Sequence, residues 1–542
     1  MSATQGISPD LIAALSAPRN NATLGGILRG LEKECLRVTP EGTLAQTDHP
    51  AALGSTLTHP HITTDYSEAL LEFITEPFED VESLLKQLDD IHRFSCEQLE
   101  NNERLWPSSM PCILGGDDEI PVARYGTSNS GTMKTVYRVG LGHRYGRPMQ
   151  TIAGIHYNFS LPDDFWTVLQ NSEGNNQSLQ DFKTDRYFGL IRNFRRNFWL
   201  LIYLFGASPA VCSCFIQNRT HQLVPFPHGE QTHYLPYATS LRMGDLGYQS
   251  DAQKSLVVNY NNLNDYLKTL CGAITHSHPA YEQIGLKDQN GNYQQLNTSL
   301  LQIENEFYSS IRPKRTTTRG ETALQALRFR GVEYIEVRCV DLNPYEPLGI
   351  TVEQMQVMDA FLLYCLLTDS PPTNESEFYQ GQTNQKRIVN QGRQPGLELL
   401  RGDLSVPMSD WAREIIQGSM ECANLLDQAR GGNAYQLALQ HQLEKIDNPS
   451  LTPSARVLND MEKNQQTFFA HALSLAEQHR NYFAARPLDQ ATHKRFEEMS
   501  EASLREQHEL ESGAQCSFDD YLENYYAQYR EGNCDKVDSS GA

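Results

Sequence analysis

The chain has 542 residues, enough for a large core and for roughly two to four domains. Its hydrophobic content of 39% and charged content of 21% predict that most of it folds. The formal net charge of −22 argues against a general binder of nucleic acids or of anionic membranes, although it allows a local basic pocket for phosphates.

The first part of the chain alternates between predicted strands and helices. A short amphipathic helix is predicted at 8–18, and GGILRGLEKECLRV (25–38) and ALLEFITEP (69–77) are typical of strands, with a helical pattern following at 81–106. MQTIAGIHYNFSLP (149–162) predicts a strand, 187–206 a buried aromatic helix, and ASPAVCSCF (207–215) another strand. LLQIENEFY (300–308) and VEYIEVRCVDL (332–342) are the last two predicted strands.

The pattern changes after Pro347, and the rest of the chain is predicted to hold only helices and a tail. Helical periodicity covers 352–369, 408–430, 433–445, 453–480 and 488–511, while SPPTNESEFYQGQTNQ (370–385) predicts a polar loop. We therefore expect a sheet-bearing catalytic part at 1–350 and a helical part at 351–530 that packs on it and does not fold independently. A disordered tail is expected at 531–542.

Eleven cysteines with irregular spacing predict reduced thiols in the cytoplasm rather than a disulfide scaffold. The closest pair, Cys212 and Cys214, has no partner pair with zinc-like spacing, so two small core residues are favoured over a metal site. The N-terminus lacks the pattern of a signal peptide, and the apolar run from Phe361 is too short to cross a bilayer. We expect a cytoplasmic monomer without membrane or nucleic-acid partners.

Several predicted strands place acidic side chains on one face. Successive side chains of a strand point to opposite faces, so Glu32 and Glu34 share a face, and Leu31 and Cys35 share the other. The same alternation separates apolar side chains from a polar set in the other strands. That polar set consists of Glu72, His156, Asn158, Glu304, Glu306, Glu336 and Arg338.

These polar faces carry glutamates, one histidine and one arginine, but few lysines. Carboxylate oxygens are the ligands of hard cations, so a cavity that binds Mg²⁺, with Mn²⁺ as the alternative, is favoured over a sheet with one face in water. Such ions normally hold the phosphates of ATP, and no GxxxxGK[ST] loop is present to do so. The candidate phosphate ligands are therefore Arg312, Lys314 and Arg315 in IRPKRTTTRG, for which a basic surface turn is the alternative.

Asp65 and Glu68 have the spacing of a capping box, so Asp65 could cap a helical turn instead of acting in a site.

A series of segments resembles, in order, the proteobacterial type of glutamate–cysteine ligase, also called γ-glutamylcysteine synthetase. The resemblance extends from about residue 25 to about residue 350 and continues weakly through NPSLTPSAR. The segments that carry it are RGLEKECLRV, HPHITTDYSEALLEFITEP, WPSSMPC, YGTSNSGTMKTVYR, YGRPMQTIAGIHYNFSLP, YLFGASPA, YLPYATSLRMGDLGY, LQIENEFYSSIRPKR and EYIEVRCVDLNP.

The resemblance implies an α+β fold like the glutamine synthetase catalytic domain, in which a curved antiparallel sheet forms a funnel with helices outside. It also implies the first step of glutathione synthesis. ATP phosphorylates the γ-carboxylate of glutamate, and the amine of cysteine then displaces phosphate to give γ-glutamylcysteine. Glutathione shares the γ-glutamylcysteine part, so we expect it to be a competitive feedback inhibitor.

The resemblance also implies roles for individual residues. Arg338 corresponds to the arginine at the transferring phosphate, and Asp65 lies beside the substrate amine, where it could accept a proton. The family has Phe at position 66, where this chain has Tyr. The implied metal ligands are Glu32, Glu34, Glu72, His156 and Glu336. The implied pocket for the cysteine side chain consists of Tyr66, Tyr137, Leu141, Tyr248 and Tyr308, and the candidates for holding substrate carboxylates are Arg138, Gln150 and Arg242.

Three other interpretations remain open at this stage. The chain could be an ATP-dependent γ-glutamyl ligase that uses another amine, or a related scaffold that binds a nucleotide or glutamate and regulates. The intact set of acids, His156 and Arg338 argues against the second. A redox-sensing role for the cysteines could coexist with catalysis.

Overall fold

An open antiparallel sheet lies at the centre of the computed structural model, which describes residues 6–111, 113–217, 219–247, 252–254, 256–318 and 320–530. Its strand order is β2-β3-β1-β5-β10-β9, and β4 pairs with the end of β1. The strands of this sheet are β1 (Leu28–Val38), β2 (Ile62–Thr64), β3 (Leu70–Ile74), β4 (Arg104–Leu105), β5 (Ile155–Ser160), β9 (Ile311–Lys314) and β10 (Tyr334–Val340).

Two smaller sheets accompany the central one. One has the order β6-β8-β7, and the other is a hairpin of two strands. Their strands are β6 (Ala210–Cys212), β7 (Val224–Phe226), β8 (Gly229–Tyr234), β11 (Glu398–Arg401) and β12 (Leu404–Pro407).

Helices surround the sheet and make up most of the chain after residue 350. The helices before that point are α1 (Pro9–Ser16), α2 (Pro18–Asn21), α3 (Val81–Gln98), α4 (Asn129–Tyr145), α5 (Asp163–Ser172), α6 (Leu179–Asn197), α7 (Trp199–Phe205), α8 (Ser213–Ile216), α9 (Leu263–Thr275), α10 (Pro279–Glu282) and α11 (Ala323–Arg330). Those after it are α12 (Val352–Leu367), α13 (Glu375–Gln391), α14 (Met408–Arg430), α15 (Ala434–Asp447), α16 (Pro453–Lys463), α17 (Phe468–Ala484), α18 (Gln490–Ser512) and α19 (Phe518–Ala527).

The apolar face of the sheet is covered by helices. Ile155, Tyr157 and Phe159 of β5 are fully buried, as the predicted alternation requires. Helix α12 is apolar on nearly all sides because it lies between α6, α14 and α15. Residues from both ends of the chain, Ile7 and Tyr529 among them, belong to one continuous core. The predicted α+β class, with an antiparallel sheet inside and helices outside, is confirmed.

Several predicted elements were wrong in type. The segment 300–308 is not a strand: it makes a single turn of 3₁₀ helix at Glu304–Glu306, because the buried carboxylates of this turn accept backbone N–H groups. The predicted polar loop at 370–385 is mostly α13, which Asn374 caps by accepting the N–H of Glu377. The part after residue 350 also contains the β11–β12 hairpin, so it is not purely helical.

Other predicted elements were too long. The segment 453–480 divides into α16 and α17, and 187–206 divides at Phe198 into α6 and α7. The strand predicted at 207–215 ends at Cys212, where α8 begins. Cys271 is disulfide-bonded, so the expectation of reduced thiols does not hold for it, whereas Cys212 and Cys214 keep their thiol groups. The tail predicted at 531–542 lies outside the described residues.

Candidate active site

The acidic side chains of β1 and its two neighbours share one face of the sheet. Strand β1 lies between β3 and β5, and its register places Glu32 opposite His156 and Glu34 opposite Glu72. The Oε2 atom of Glu32 is 3.1 Å from Nδ1 of His156, and Oε1 of Glu34 is 3.6 Å from its Nε2. Three strands therefore bring three carboxylates and one imidazole together.

Strand β10 adds Glu336 and Arg338 to the same face. Glu336 lies opposite Asn158 of β5, and its Oε1 accepts a hydrogen bond from Arg338 at 2.9 Å and lies 3.5 Å from Nδ1 of His156. Asn158 donates to Glu32 at 2.8 Å, which joins the groups from β10 and β1. The convergence of acids on one face, which alternation had predicted, is present in the structure.

The donor set fits a divalent cation. One ligand atom each from Glu32, Glu72 and His156 lie within 4.8 Å of one another. Two buried atoms of the cluster, Nε2 of His156 and Oε2 of Glu336, make no hydrogen bond to the described part of the chain. A buried polar atom without a hydrogen bond costs free energy, and a bound ion would satisfy such atoms.

Burial and mutual repulsion raise the pKa of two acids of the cluster. Burial, together with the nearby carboxylates of Asp65, Glu32 and Glu34, raises the pKa of Glu72 well above its usual value. Burial also raises the pKa of Glu34, with partial opposition from His156. Like charges in a desolvated site favour protonation of one carboxyl, unless a cation compensates them.

Neighbouring side chains stabilise the negative charge of two other acids of the cluster, Glu336 and Glu32. Burial acts to raise the pKa of Glu336, but Lys314 and Arg338 outweigh it and hold that pKa well below its usual value. Burial likewise acts to raise the pKa of Glu32, and the hydrogen bond with His156 reverses the shift.

The three predicted phosphate ligands differ in their surroundings. Nζ of Lys314 is 3.6 Å from Glu336 and the side chain is partly exposed, so it lies at the edge of the carboxylate cluster. The guanidinium of Arg312 donates to the carbonyl oxygens of Asn305 and Phe307, at 2.8 and 2.6 Å, and thereby supports the turn at Glu304–Glu306. Arg315 instead contacts Glu333 and the carbonyl of Arg330.

A cavity of about 90 Å³ opens beside the cluster. Glu34 and Arg338 of the cluster line this cavity together with Asp65. Every predicted substrate ligand within the described residues lines it, and Tyr248 lies outside those residues. These ligands are Tyr66, Tyr137, Arg138, Leu141, Gln150, Arg242 and Tyr308.

Asp65 lies between β2 and β3 and does not cap a helix. Its carbonyl accepts hydrogen bonds from Arg138 and from the hydroxyl of Tyr125, which leaves its carboxylate beside the cavity. Glu68 does not reach back to Asp65, because its carboxylate accepts the N–H groups of His49 and Arg124. The capping-box alternative was therefore wrong.

Two polar residues are held rigidly in the cavity wall. Arg242 is 1% exposed, donates to the carbonyl of Arg338 at 2.9 Å and lies 3.8 Å from the buried Asp341. Nε2 of Gln150 donates to the hydroxyl of Tyr308 at 3.0 Å. Groups that are immobilised before the substrate arrives lose less entropy when they bind it.

Sequence reasoning did not assign some residues of the site. Asn158 was seen on the same face as His156 but received no role, although it binds Glu32. Glu306 lines the cavity and accepts hydrogen bonds from Arg144 at 3.0 Å and Tyr145 at 2.7 Å. The sequence contains no local signal for the contacts of Glu306 with Arg144 and Tyr145, since these residues are about 160 positions from Glu306 in the chain. The remaining unassigned lining residues are Met149, Ile152, Gly247 and Asn305.

Comparisons with known proteins agree with this geometry. A family model described as glutamate–cysteine ligase matches residues 12–388. The glutamate–cysteine ligase of Saccharophagus degradans is 53% identical over 97% of this chain and 98% of its own length, and that of Alcanivorax borkumensis is 52% identical over 93% and 96%. The crystal structure of glutamate–cysteine ligase from Francisella tularensis in complex with AMP has a TM-score of 0.87 at 36% identity, and the match covers 93% of this chain and 98% of that one. This chain therefore belongs to the glutamate–cysteine ligase family.

Proposed function

We propose that this chain joins the γ-carboxylate of L-glutamate to the amine of L-cysteine at the cavity described above. The γ-phosphoryl group of ATP passes to the carboxylate, which leaves ADP, and the amine then displaces phosphate from the acyl phosphate. The observation that carries this proposal is that Arg338, which is hydrogen-bonded to Glu336 of the carboxylate cluster, and Asp65 line one small cavity with aromatic and cationic walls. The product is γ-glutamylcysteine, and the reaction is the first step of glutathione synthesis.

The carboxylate cluster would hold Mg²⁺, with Mn²⁺ as the alternative, because its donors are mainly carboxylate oxygens. When bound, the ions supply positive charge that neutralises the phosphates of ATP. The residues proposed to hold them are Glu32, Glu34, Glu72, His156 and Glu336.

Arg338 and Asp65 are the proposed catalytic residues. Phosphoryl transfer depends mainly on positioning and on charge neutralisation, and the guanidinium of Arg338, which Glu336 orients, is suited to stabilise the transferring phosphate. The amine of cysteine must lose a proton as it attacks the acyl phosphate. The carboxylate of Asp65, which lines the same cavity as Arg338, is the proposed acceptor.

The walls of the cavity are proposed to divide between the two amino-acid substrates. Arg138, Gln150 and Arg242 offer donors for substrate carboxylates. The rings of Tyr137 and Tyr308 suit a thiol, because a thiol forms weak hydrogen bonds and favourable contacts with aromatic edges. Tyr66, Leu141 and Tyr248 are proposed to complete this wall.

Among the three basic candidates for the nucleotide, Lys314 has the best support. Its ammonium is partly exposed beside Glu336. Arg312 also lies 3.8 Å from Glu336, but its side chain is buried, and both Arg312 and Arg315 donate to backbone carbonyls of the chain. We retain Arg312 and Arg315 as proposals that act by holding the surrounding segments in place.

A product analysis tests the proposed function. Purified protein is incubated with ATP, Mg²⁺, glutamate and cysteine, and we expect a mass spectrum with γ-glutamylcysteine and an equal amount of ADP. Arg338→Lys keeps the charge but loses the planar donor pair, and is expected to lower kcat at least about 100-fold. The matched control Arg328→Lys changes an arginine on α11 outside the cavity. Phosphate release with other amines but not with cysteine would refute the choice of acceptor.

Two further features are proposed for the same enzyme. Glutathione is a competitive feedback inhibitor, since it carries the γ-glutamylcysteine part; inhibition that persists unchanged as glutamate rises would contradict this. We also propose that the enzyme is a cytoplasmic monomer. The thiols of Cys35, Cys339 and Cys422 favour a reducing compartment, and the disulfide of Cys271 opposes it. Sedimentation velocity at micromolar concentration measures the mass of the species in solution, and we expect the mass of one chain.

Within the described residues, every helix is too short or too polar to cross a bilayer.

A further inference from the structure

Tyr308 lies in the wall between the substrate cavity and a second cavity of about 1000 Å³. The second cavity is bounded by the end of α6, the segment 256–260, α13 and the β11–β12 hairpin. Among the described residues, Tyr308 is the one that lines both cavities, so it forms part of the wall that they share.

The side chain of Gln253 is buried next to this wall, and its hydrogen bonds with the described residues go to Tyr308 and to the neighbours of Tyr308. Its Oε1 accepts the backbone N–H of Tyr308 at 3.0 Å, and its Nε2 donates to the carbonyl of Glu306 at 2.9 Å and to the hydroxyl of Tyr145 at 3.1 Å. Gln253 is 7% exposed. The oxygen and the nitrogen of this amide therefore hold the backbone of Tyr308 and two of its neighbours, Glu306 and Tyr145, in place.

Tyr308 is held at two other points as well. Its ring meets the ring of Tyr145 edge to face at 5.8 Å, and its hydroxyl accepts from Gln150 at 3.0 Å. Tyr145 is itself fixed, since its hydroxyl donates to Glu306 at 2.7 Å. Of these residues, Gln253 alone binds three groups at once: the N–H of Tyr308, the carbonyl of Glu306 and the hydroxyl of Tyr145, whose ring packs against Tyr308.

We propose that Gln253 is a positioning residue that holds Tyr308 as a partition between the two cavities, and that it thereby limits the size of the acceptor amino acid. The inference rests on the proposed function. Without the amide, the N–H of Tyr308 and the carbonyl of Glu306 lose their partner, and the large cavity behind gives the ring room to move. A longer acceptor side chain then fits where only the cysteine side chain fitted before.

The test compares Gln253→Met with the wild-type enzyme, because methionine keeps the length of the side chain and removes its hydrogen bonds. We expect KM for cysteine to rise about 10-fold or more, while KM for ATP and KM for glutamate stay within about 2-fold. We also expect the kcat/KM for methionine as acceptor, relative to that for cysteine, to rise at least about 5-fold. The matched control is Gln382→Met, since Gln382 is exposed and lines only the larger cavity.

Two results would overturn the inference. One is an unchanged KM for cysteine and an unchanged acceptor preference in Gln253→Met. The other is a parallel rise in all three KM values together with a lower midpoint of urea unfolding, which indicates general destabilisation. If the wild-type enzyme makes no γ-glutamylcysteine in the product analysis, the proposed function is wrong. That assay of the wild type therefore distinguishes a failure of the proposed function from a failure of the inference about Gln253.

Discussion

Arg29 of β1 and Asp359 of α12 form an ion pair of 2.6 Å in which neither side chain is exposed to solvent. The hydroxyls of Tyr157 and Tyr435 complete the network around Asp359, at 2.7 and 3.2 Å. Arg29 and Tyr157 belong to the two strands that carry Glu32 and His156. The pair therefore connects the helical part after residue 350 to the back of the carboxylate cluster.

Removing one partner of this pair is expected to destabilise the protein strongly. In Asp359→Ala, the guanidinium of Arg29 remains buried without its carboxylate, and such a loss typically costs about 3–5 kcal/mol of the free energy of unfolding. Urea unfolding followed by circular dichroism measures it. Asp410→Ala is the control, because Asp410 is 71% exposed and 3.5 Å from Arg413, and a change below about 1 kcal/mol is expected there. An equal cost in both variants would refute the prediction.

The same relationship supports our proposal that residues 351–530 do not fold alone. A fragment of these residues would expose the surface of α12 that contacts α6 and would leave Asp359 without Arg29. We expect the isolated fragment to lack a cooperative unfolding transition in urea. A sharp transition in that fragment would show an independent domain.

Glu72→Gln is expected to improve stability and to impair activity. The raised pKa of Glu72 means that its ionised form is disfavoured in the folded, metal-free protein at neutral pH, because burial and the carboxylates of Asp65, Glu32 and Glu34 oppose the charge. The neutral amide removes this repulsion, so the unfolding midpoint in EDTA should rise. Activity with Mg²⁺ should fall at least about 100-fold, since a metal ligand is lost.

Glu76→Gln is the matched control, because Glu76 is an exposed glutamate just beyond the end of β3. We expect Glu76→Gln to leave both the unfolding midpoint in EDTA and the activity with Mg²⁺ unchanged. A lower unfolding midpoint for Glu72→Gln in EDTA would contradict the repulsion argument, and full activity would contradict the metal assignment.

His59 is expected to make the fold sensitive to acid. Its buried Nδ1 accepts the N–H groups of His61 and Ile62, at 3.1 and 2.9 Å, which requires a neutral ring, and burial with the neighbouring His61 lowers its pKa to about 4. The unfolded chain binds the proton near pH 6.5, so the stabilisation is present above pH 6.5 and is lost as the pH falls towards 4. From pH 7.5 to pH 5, this one group accounts for about 2 kcal/mol.

The measurement is the free energy of unfolding in urea at the two pH values. His59→Asn keeps an acceptor oxygen but does not titrate, so its loss of stability between pH 7.5 and pH 5 should be smaller than that of the wild type by about 2 kcal/mol. An identical loss in both proteins would show that His59 is not the titrating group.

Tyr66→Phe is expected to stabilise this protein. Tyr66 is 1% exposed, its hydroxyl makes no hydrogen bond with the described residues, and it lies beside Gly142, where a Cβ would come within 2.5 Å of it. Removing a buried hydroxyl without a partner should raise the free energy of unfolding by about 1 kcal/mol, with little change in KM for cysteine. Tyr125→Phe is the control, because that hydroxyl donates to the carbonyl of Thr64, and it should destabilise instead.

The thiol pocket should discriminate only partly against side chains of similar size. We expect kcat/KM for 2-aminobutyrate or serine to be about 10–200-fold below that for cysteine, since small differences in an aromatic pocket are worth little more than this. Coupled ADP assays with each acceptor measure the ratios. Equal turnover of all three would contradict the assignment of Tyr137 and Tyr308 to the pocket.

The sequence by itself determined the face on which each strand of the site presents its acids. Alternation of side chains is a local property of a strand, so the assignment of Glu32 and Glu34, of His156 and of Glu336 to the polar face of their own strands followed without knowledge of the pairing. The family resemblance then indicated which of these residues act together.

Only the tertiary structure decided which side chains meet and what supports them. The turn at Glu304–Glu306 has the alternating pattern of a strand, but Glu306 accepts the N–H of Gln302 four residues earlier and Glu304 accepts the N–H of Ala323 at the start of α11. Likewise, Gln253 reaches the backbone of Tyr308, 55 residues away, and Arg29 reaches Asp359, 330 residues away. Hydrogen bonds and ion pairs of this kind depend on the approach of separate elements in space, for which local sequence carries no periodic signal.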